Sequence, residues 1–142
     1  MLLRFLRNQK GFTMIEMMVV LIIIGVLIAG GIYVYLGYID RAKVSKAAGE
    51  MAPMAAALDA YYAEEGDYPA SESDAITKAG LPDDPKETNT QLPKDPWGVK
   101  YVYTYTAASS TTPAKFTLKA IDGNNTERVV FEGTGGTSER TK

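Results

Sequence analysis

The sequence predicts an α+β protein: one long N-terminal helix packed against a small antiparallel β-sheet of about three strands. Three observations predict it. Residues 17–39 form a run of 23 without a charged side chain. An apolar stripe at spacings of three and four then carries a helical pattern on to about residue 65. After Pro69 the pattern gives way to alternating, aromatic and β-branched runs bounded by glycine, proline and asparagine.

The apolar run opens in "KGFTMIEMMVVLIIIGVLI", Lys10 to Ile28. As a helix, 23 residues span the ~30 Å hydrocarbon core of a bilayer. The stretch before it, "MLLRFLRNQKG", carries Arg4, Arg7 and Lys10 and no acid. A basic flank stays cytoplasmic, so the rest of the chain is expected outside. An ordinary secretory signal has a shorter apolar region and a small-residue cleavage site after it. Here the run is longer and continues into "GGIYVYLGYID". A plain single-pass anchor would explain the run, but not Glu16.

A carboxylate at the bilayer centre is disfavoured by roughly 2.5–3.5 kcal/mol, less toward the interface, and such groups have partners. No cation follows Lys10 within reach on the same helix. A cut between Gly11 and Phe12 would create one, a new α-amino group. Phe12 and Glu16 stand at i and i+4 and share a helix face. Glu16 is therefore expected to meet the amino terminus of a neighbouring copy, most strongly in a low-dielectric bundle.

The second half of the helix is amphipathic. Val44, Ala47, Ala48, Met51, Ala55, Leu58 and Tyr62 make one stripe, with Lys43, Lys46, Glu50 and Asp59 mostly off it. Gly66 and Pro69 supply the stop. The helix is expected from about Phe12 to Glu65, about 80 Å at 1.5 Å per residue. Pro53 crowds the carbonyl of Gly49, which predicts a bend and not a break. Beyond Pro69, "ASESDAITKAG" reads as a short helix capped by Ser71 and stopped by Gly80. "LPDDPKETNTQLPKDP" is a proline-rich loop. "VKYVYTYT", "KFTLKA" and "RVVFE" are the strands, joined by a linker at 107–113 and a tight turn at "DGNN". Trp97, the only tryptophan, lies between Pro96 and Gly98 in a turn that would drop its indole over the helix as core. "GTGGTSERTK" has nothing to bury and reads as a mobile tail.

Composition narrows the function. The chain has no cysteine and no histidine, which removes disulfides, the commonest general base and the commonest metal ligand. A formal net charge of −2 gives no case for nucleic acid. Asp83–Asp84 and Glu64–Glu65 are adjacent acids of the kind that is usually just solvated, so no catalysis is expected. No G-x-x-x-x-G-K-[ST] motif is present, so any motor is a separate protein.

"KGFTMIE" followed by the long apolar run resembles the class III signal of type IV pilins and type II secretion pseudopilins. "ALDAYYAEEGDYP" (57–69) and "LPKDPWGVKYVY" (92–103) resemble the helix end and sheet entry of the major pseudopilin. The resemblance implies the type IV pilin fold. It implies that a prepilin peptidase cuts between Gly11 and Phe12 and methylates the new amino terminus of Phe12. Glu16, then the fifth residue, is implied as the assembly glutamate. The divisions expected are a cleaved leader (1–11), a transmembrane and filament-core half-helix (12–39), and an amphipathic half-helix (40–65). An αβ loop with a short helix (66–98), a sheet (99–132) and the mobile tail (133–142) follow.

The resemblance further implies a homopolymer drawn from the bacterial inner membrane by an assembly platform and a separate ATPase. The subunit would start with its N-terminus cytoplasmic and end in a periplasmic or extracellular filament. A surface pilus, and more remotely a membrane-anchored binding module, are the alternatives. The major pseudopilin also ends in a glycine- and acid-rich loop that binds calcium. "KAIDGNNTE" keeps part of it: Asp122, Asn124, Asn125 and Glu127 offer hard oxygen ligands. A hairpin turn uses the same residue types with no metal, and no other cofactor is expected.

Overall fold

A computed structural model describes residues 11–142. The basic residues of the expected leader, Arg4, Arg7 and Lys10, lie outside the described residues. The chain divides between Ile39 and Asp40 into two compact units.

Helix α1 is Met14–Glu65, unbroken in secondary structure through Gly30, Gly31 and Pro53. Its apolar residues up to Tyr38 are exposed, Met17 at 41% being the least so. That stretch has no core of its own. Its most apolar 18-residue window has a mean hydropathy of 2.8, and it alone among the described residues is long and apolar enough to cross a membrane. Gly66, at φ +79°, ends the helix in the left-handed conformation that glycine tolerates.

The second unit buries the predicted stripe. Ala47, Met51, Ala55 and Leu58 are in the core, Met54 joins them, and Val44, Ala48 and Tyr62 pack at its margin. Helix α2, Glu72–Thr77, begins where Ser71 Oγ accepts the Asp74 N–H at 3.1 Å. Four strands follow: β1 (Val102–Thr106), β2 (Lys115–Ile121), β3 (Glu127–Thr134) and β4 (Thr137–Arg140). They form an antiparallel meander in chain order. Along β2 the alternation puts Phe116, Leu118 and Ala120 into the core, with Val129 and Phe131 of β3 beside them. Phe116 pairs with Gly133, and its ring fills the space where a Cβ would stand.

Two expectations are corrected. The sheet has four strands, and β4 comes from the segment read as a tail. Gly135 and Gly136, with φ of +63° and +82°, make the two-residue turn between Thr134 and Thr137. Positive φ at both central residues is the hairpin turn whose twist matches that of paired strands. The segment thus needs little apolar surface of its own, because it adds ladder hydrogen bonds to an existing sheet.

Candidate assembly site

The N-terminus of α1 is built by its own side chains. Thr13 N–H and Thr13 Oγ–H both donate to Glu16 Oε2 at 2.8 Å, and the Glu16 N–H points back to Thr13 Oγ at 3.3 Å. The Thr13 carbonyl accepts the first helical bond, from Met17 N–H at 3.2 Å. This is a reciprocal capping box, in which residue and partner each satisfy an unpaired helix-start donor. Its sequence signal is Thr13-Met-Ile-Glu16, a Thr-x-x-Glu before an apolar run, which is missed when only a cation is sought as partner. Glu16 therefore has a hydrogen-bond partner within its own chain. Within the chain, Phe12 and Glu16 line one shallow apolar hollow with Ile15, Val19 and Val20, whereas the expected pairing of Glu16 is with a second copy. Gly11 immediately precedes this group in the chain.

Of the four oxygen-bearing residues, Asp122, Asn124 and Asn125 lie in the β2–β3 turn and Glu127 opens β3. The Asn125 N–H donates to the Asp122 carbonyl at 2.9 Å, with Asn125 at φ +62°. Asp122 Oδ1 accepts the Asn124 N–H at 2.9 Å and the Thr126 N–H at 3.0 Å. The Thr126 amide first, then the Asn124 amide and the Arg128 charge, hold the Asp122 carboxyl below its ordinary range. Glu127 Oε1 is taken by Lys119 Nζ at 2.6 Å, and that ion pair lowers its pKa as well. A calcium ion needs six to eight convergent oxygens. One oxygen of each carboxylate, Asp122 Oδ1 and Glu127 Oε1, is already engaged with donors inside the protein. Among the described residues no three acidic side chains gather into a possible metal group.

Trp97 is half-buried at the margin of the core, not at its centre. The Arg128 guanidinium lies 5.5 Å from its ring centroid. The buried residue of this turn is Asp95. Oδ1 accepts Trp97 N–H at 2.9 Å and Val99 N–H at 3.1 Å, and Oδ2 accepts Ile121 N–H at 3.1 Å.

Comparison with known proteins gives two family matches in succession along the chain. The prokaryotic N-terminal methylation motif matches residues 6–32, a span that contains Gly11, Phe12 and Glu16. The type II secretion system (T2SS), protein G family matches residues 34–127. The chain is 41% identical over 106 residues to type II secretion system core protein G of Pseudomonas aeruginosa, covering 68% of this chain and 74% of that one. It is 34% identical over 137 residues to the Vibrio cholerae core protein G, covering 92% and 90%. A type IV major alpha-pilin of Moraxella bovis is 36% identical over 83 residues, covering 58% and 52%. No solved structure gives a significant match. A methylation motif on an exposed apolar helix, a helix-and-meander domain behind it and relatives aligned along most of the chain lead to one conclusion: this chain belongs to the type II secretion system protein G family.

Proposed function

We propose that the chain is a non-enzymatic filament subunit, the major pseudopilin of a type II secretion system. Prepilin peptidase cuts it between Gly11 and Phe12 and methylates the Phe12 amine. The cut removes Arg4, Arg7 and Lys10 and takes the formal charge from −2 to −5. The half-helix 12–39 holds the subunit in the bacterial inner membrane, its leader on the cytoplasmic side until removed. An assembly platform and a separate ATPase then move it into a homopolymer whose centre is this helix from many copies.

The observation that carries the reading is the helix of exposed apolar side chains that begins at Met14, just after Phe12, with Thr13 and Glu16 capping its start. Such a surface is stable only in lipid or against copies of itself. On entering the bundle, Glu16 exchanges or extends its bond to Thr13 toward a neighbour's amine. Removing one member of a buried charged pair costs about 3–5 kcal/mol, because the other is left alone.

Two variants separate charge from capping. Gln keeps a capping box at this position but has no charge, whereas Ala loses both. Intact mass should show loss of residues 1–11 and an added methyl group in wild type, Glu16→Gln and Glu16→Ala alike. Filament yield should fall sharply in both variants. Normal filaments from Glu16→Gln, with failure of Glu16→Ala, would reduce Glu16 to a helix cap. The alpha-pilin relative favours a surface pilus as the second reading. Deletion of the gene distinguishes them: lost secretion supports the first, lost surface fibres the second.

A further inference from the structure

Arg128, the second residue of β3, is enclosed on three sides by different segments. One arm pairs with Asp40 of α1. Its Nε stands 3.8 Å from Asp122 Oδ2, in the β2–β3 turn. Its guanidinium carbon lies over the ring of Trp97, in the turn that follows Asp95. The side chain is 27% exposed, and Nε is fully buried with no hydrogen-bond acceptor. A guanidinium is always charged and offers a planar fork and a stacking face at once. It can therefore hold two carboxylates and an indole in one arrangement.

We propose that Arg128 is an internal cation standing where the resemblance leads one to expect calcium, and that the β2–β3 turn of this chain closes without a metal. Three features of the turn agree. The Asp122 oxygen not facing Arg128 is held by two backbone amides. Lys119 covers Glu127 from the neighbouring strand. A divalent ion bound at Asp122 would sit beside a fixed positive charge, and like charges at such range repel. A calcium loop ties up only its own ligands, whereas the guanidinium also reaches the helix through Asp40. The β2–β3 turn is thus fastened to α1 at the first charged residue after the apolar run.

The test uses the full-length processed protein in detergent micelles, with thermal unfolding followed by near-UV circular dichroism and Trp97 fluorescence. In the unaltered protein, the midpoint should be the same in millimolar calcium chloride and in chelator. Arg128→Gln should lower the midpoint by several degrees and shift the Trp97 emission, since the cation leaves the ring. Arg128→Lys keeps the charge without the fork or the face, so it should fall between. Two results would overturn the proposal. One is a calcium-dependent rise in the unaltered protein that disappears in Asp122→Ala. The other is Arg128→Gln with unchanged midpoint and emission. If Arg128→Gln does not fold, the Arg128→Lys variant and the calcium comparison on the unaltered chain decide. The readout is folding of the subunit alone, so a failure of filament assembly leaves the proposal intact.

Discussion

At the scale of single residues, Asp95 matters more to the fold than the tryptophan two places after it. Its carboxylate is buried and accepts three backbone N–H groups, two in its own turn and one on β2. Removing it strands those donors, and a buried unsatisfied donor costs about 1–3 kcal/mol. Asp95→Ala should therefore destabilise the domain by about 3 kcal/mol or more. Trp97→Ala should cost less than the 3–5 kcal/mol typical of a fully buried aromatic. Urea unfolding of both variants checks the order, and a larger loss in Trp97→Ala would reverse it. The sequence drew attention to Trp97 because a lone indole between Pro96 and Gly98 is conspicuous. Asp95 was legible too, since an aspartate opening a proline–glycine turn commonly bonds the backbone two residues on. Its third bond, to Ile121, was not legible, because it joins residues that only the folded sheet brings together.

Among the elements, the helices were readable almost to the residue. The stripe from Val44 to Tyr62, the Gly66 stop and the Ser71 cap all rest on local chemistry that a sequence displays directly. β4 was not read, although Gly135–Gly136 between two threonines is a hairpin signal. Its flanks, Thr137 to Arg140, are polar, and apolar alternation does not reveal a polar strand. What fixes β4 is polar. Asp59 on α1 accepts the Ser138 hydroxyl and, at 3.2 Å, the Tyr68 hydroxyl. Tyr68 Oη in turn accepts the Gly136 N–H at 2.9 Å. Asp59→Ala should then loosen β4 selectively. Hydrogen–deuterium exchange should speed up at residues 136–140 while β2 stays protected. Uniform acceleration across the sheet, or none, would show that this cluster does not hold the strand.

For the whole molecule, the hydroxyls of Tyr68, Tyr101 and Tyr103 make a pH prediction. Burial first of all, with nearby carboxylates or tyrosines adding, raises all three pKa values, that of Tyr68 from 10.0 to about 12. Tyr101 also donates to Glu50 Oε2 at 2.6 Å, which favours its neutral form. Below the ordinary tyrosine value, both folded and unfolded chains keep these protons and the stabilisation is complete. Above it the unfolded chain releases them first, so stability falls as pH rises toward the folded values. Urea midpoints should be level up to about pH 10 and drop steeply beyond it. The tyrosinate absorbance of these residues should appear only with unfolding. A stable fold in which every tyrosine ionises together near its ordinary value would refute it. The opposite ends of the chain differed in legibility for a related reason. The N-terminal half-helix declares itself by composition, whereas the domain is held by pairs such as Asp40–Arg128 and Glu50–Tyr101, which no local pattern foretells.

Those distant pairs also set a timetable. A chain leaves the ribosome from its N-terminus, so the proposed cleavage junction and all of α1 exist before β4 has been made. The bonds from Asp59 to Ser138 and from Tyr68 to Gly136 can close only after residue 138 has been synthesised. On the proposed reading, with the half-helix 12–39 as the membrane anchor, the subunit would be tethered while its domain is still unfinished. On the same reading, a polypeptide cut short before β4 would still carry the proposed junction and anchor. It would lack the edge strand of the sheet and its bonds to Asp59 and Tyr68, leaving the domain more open to proteolysis.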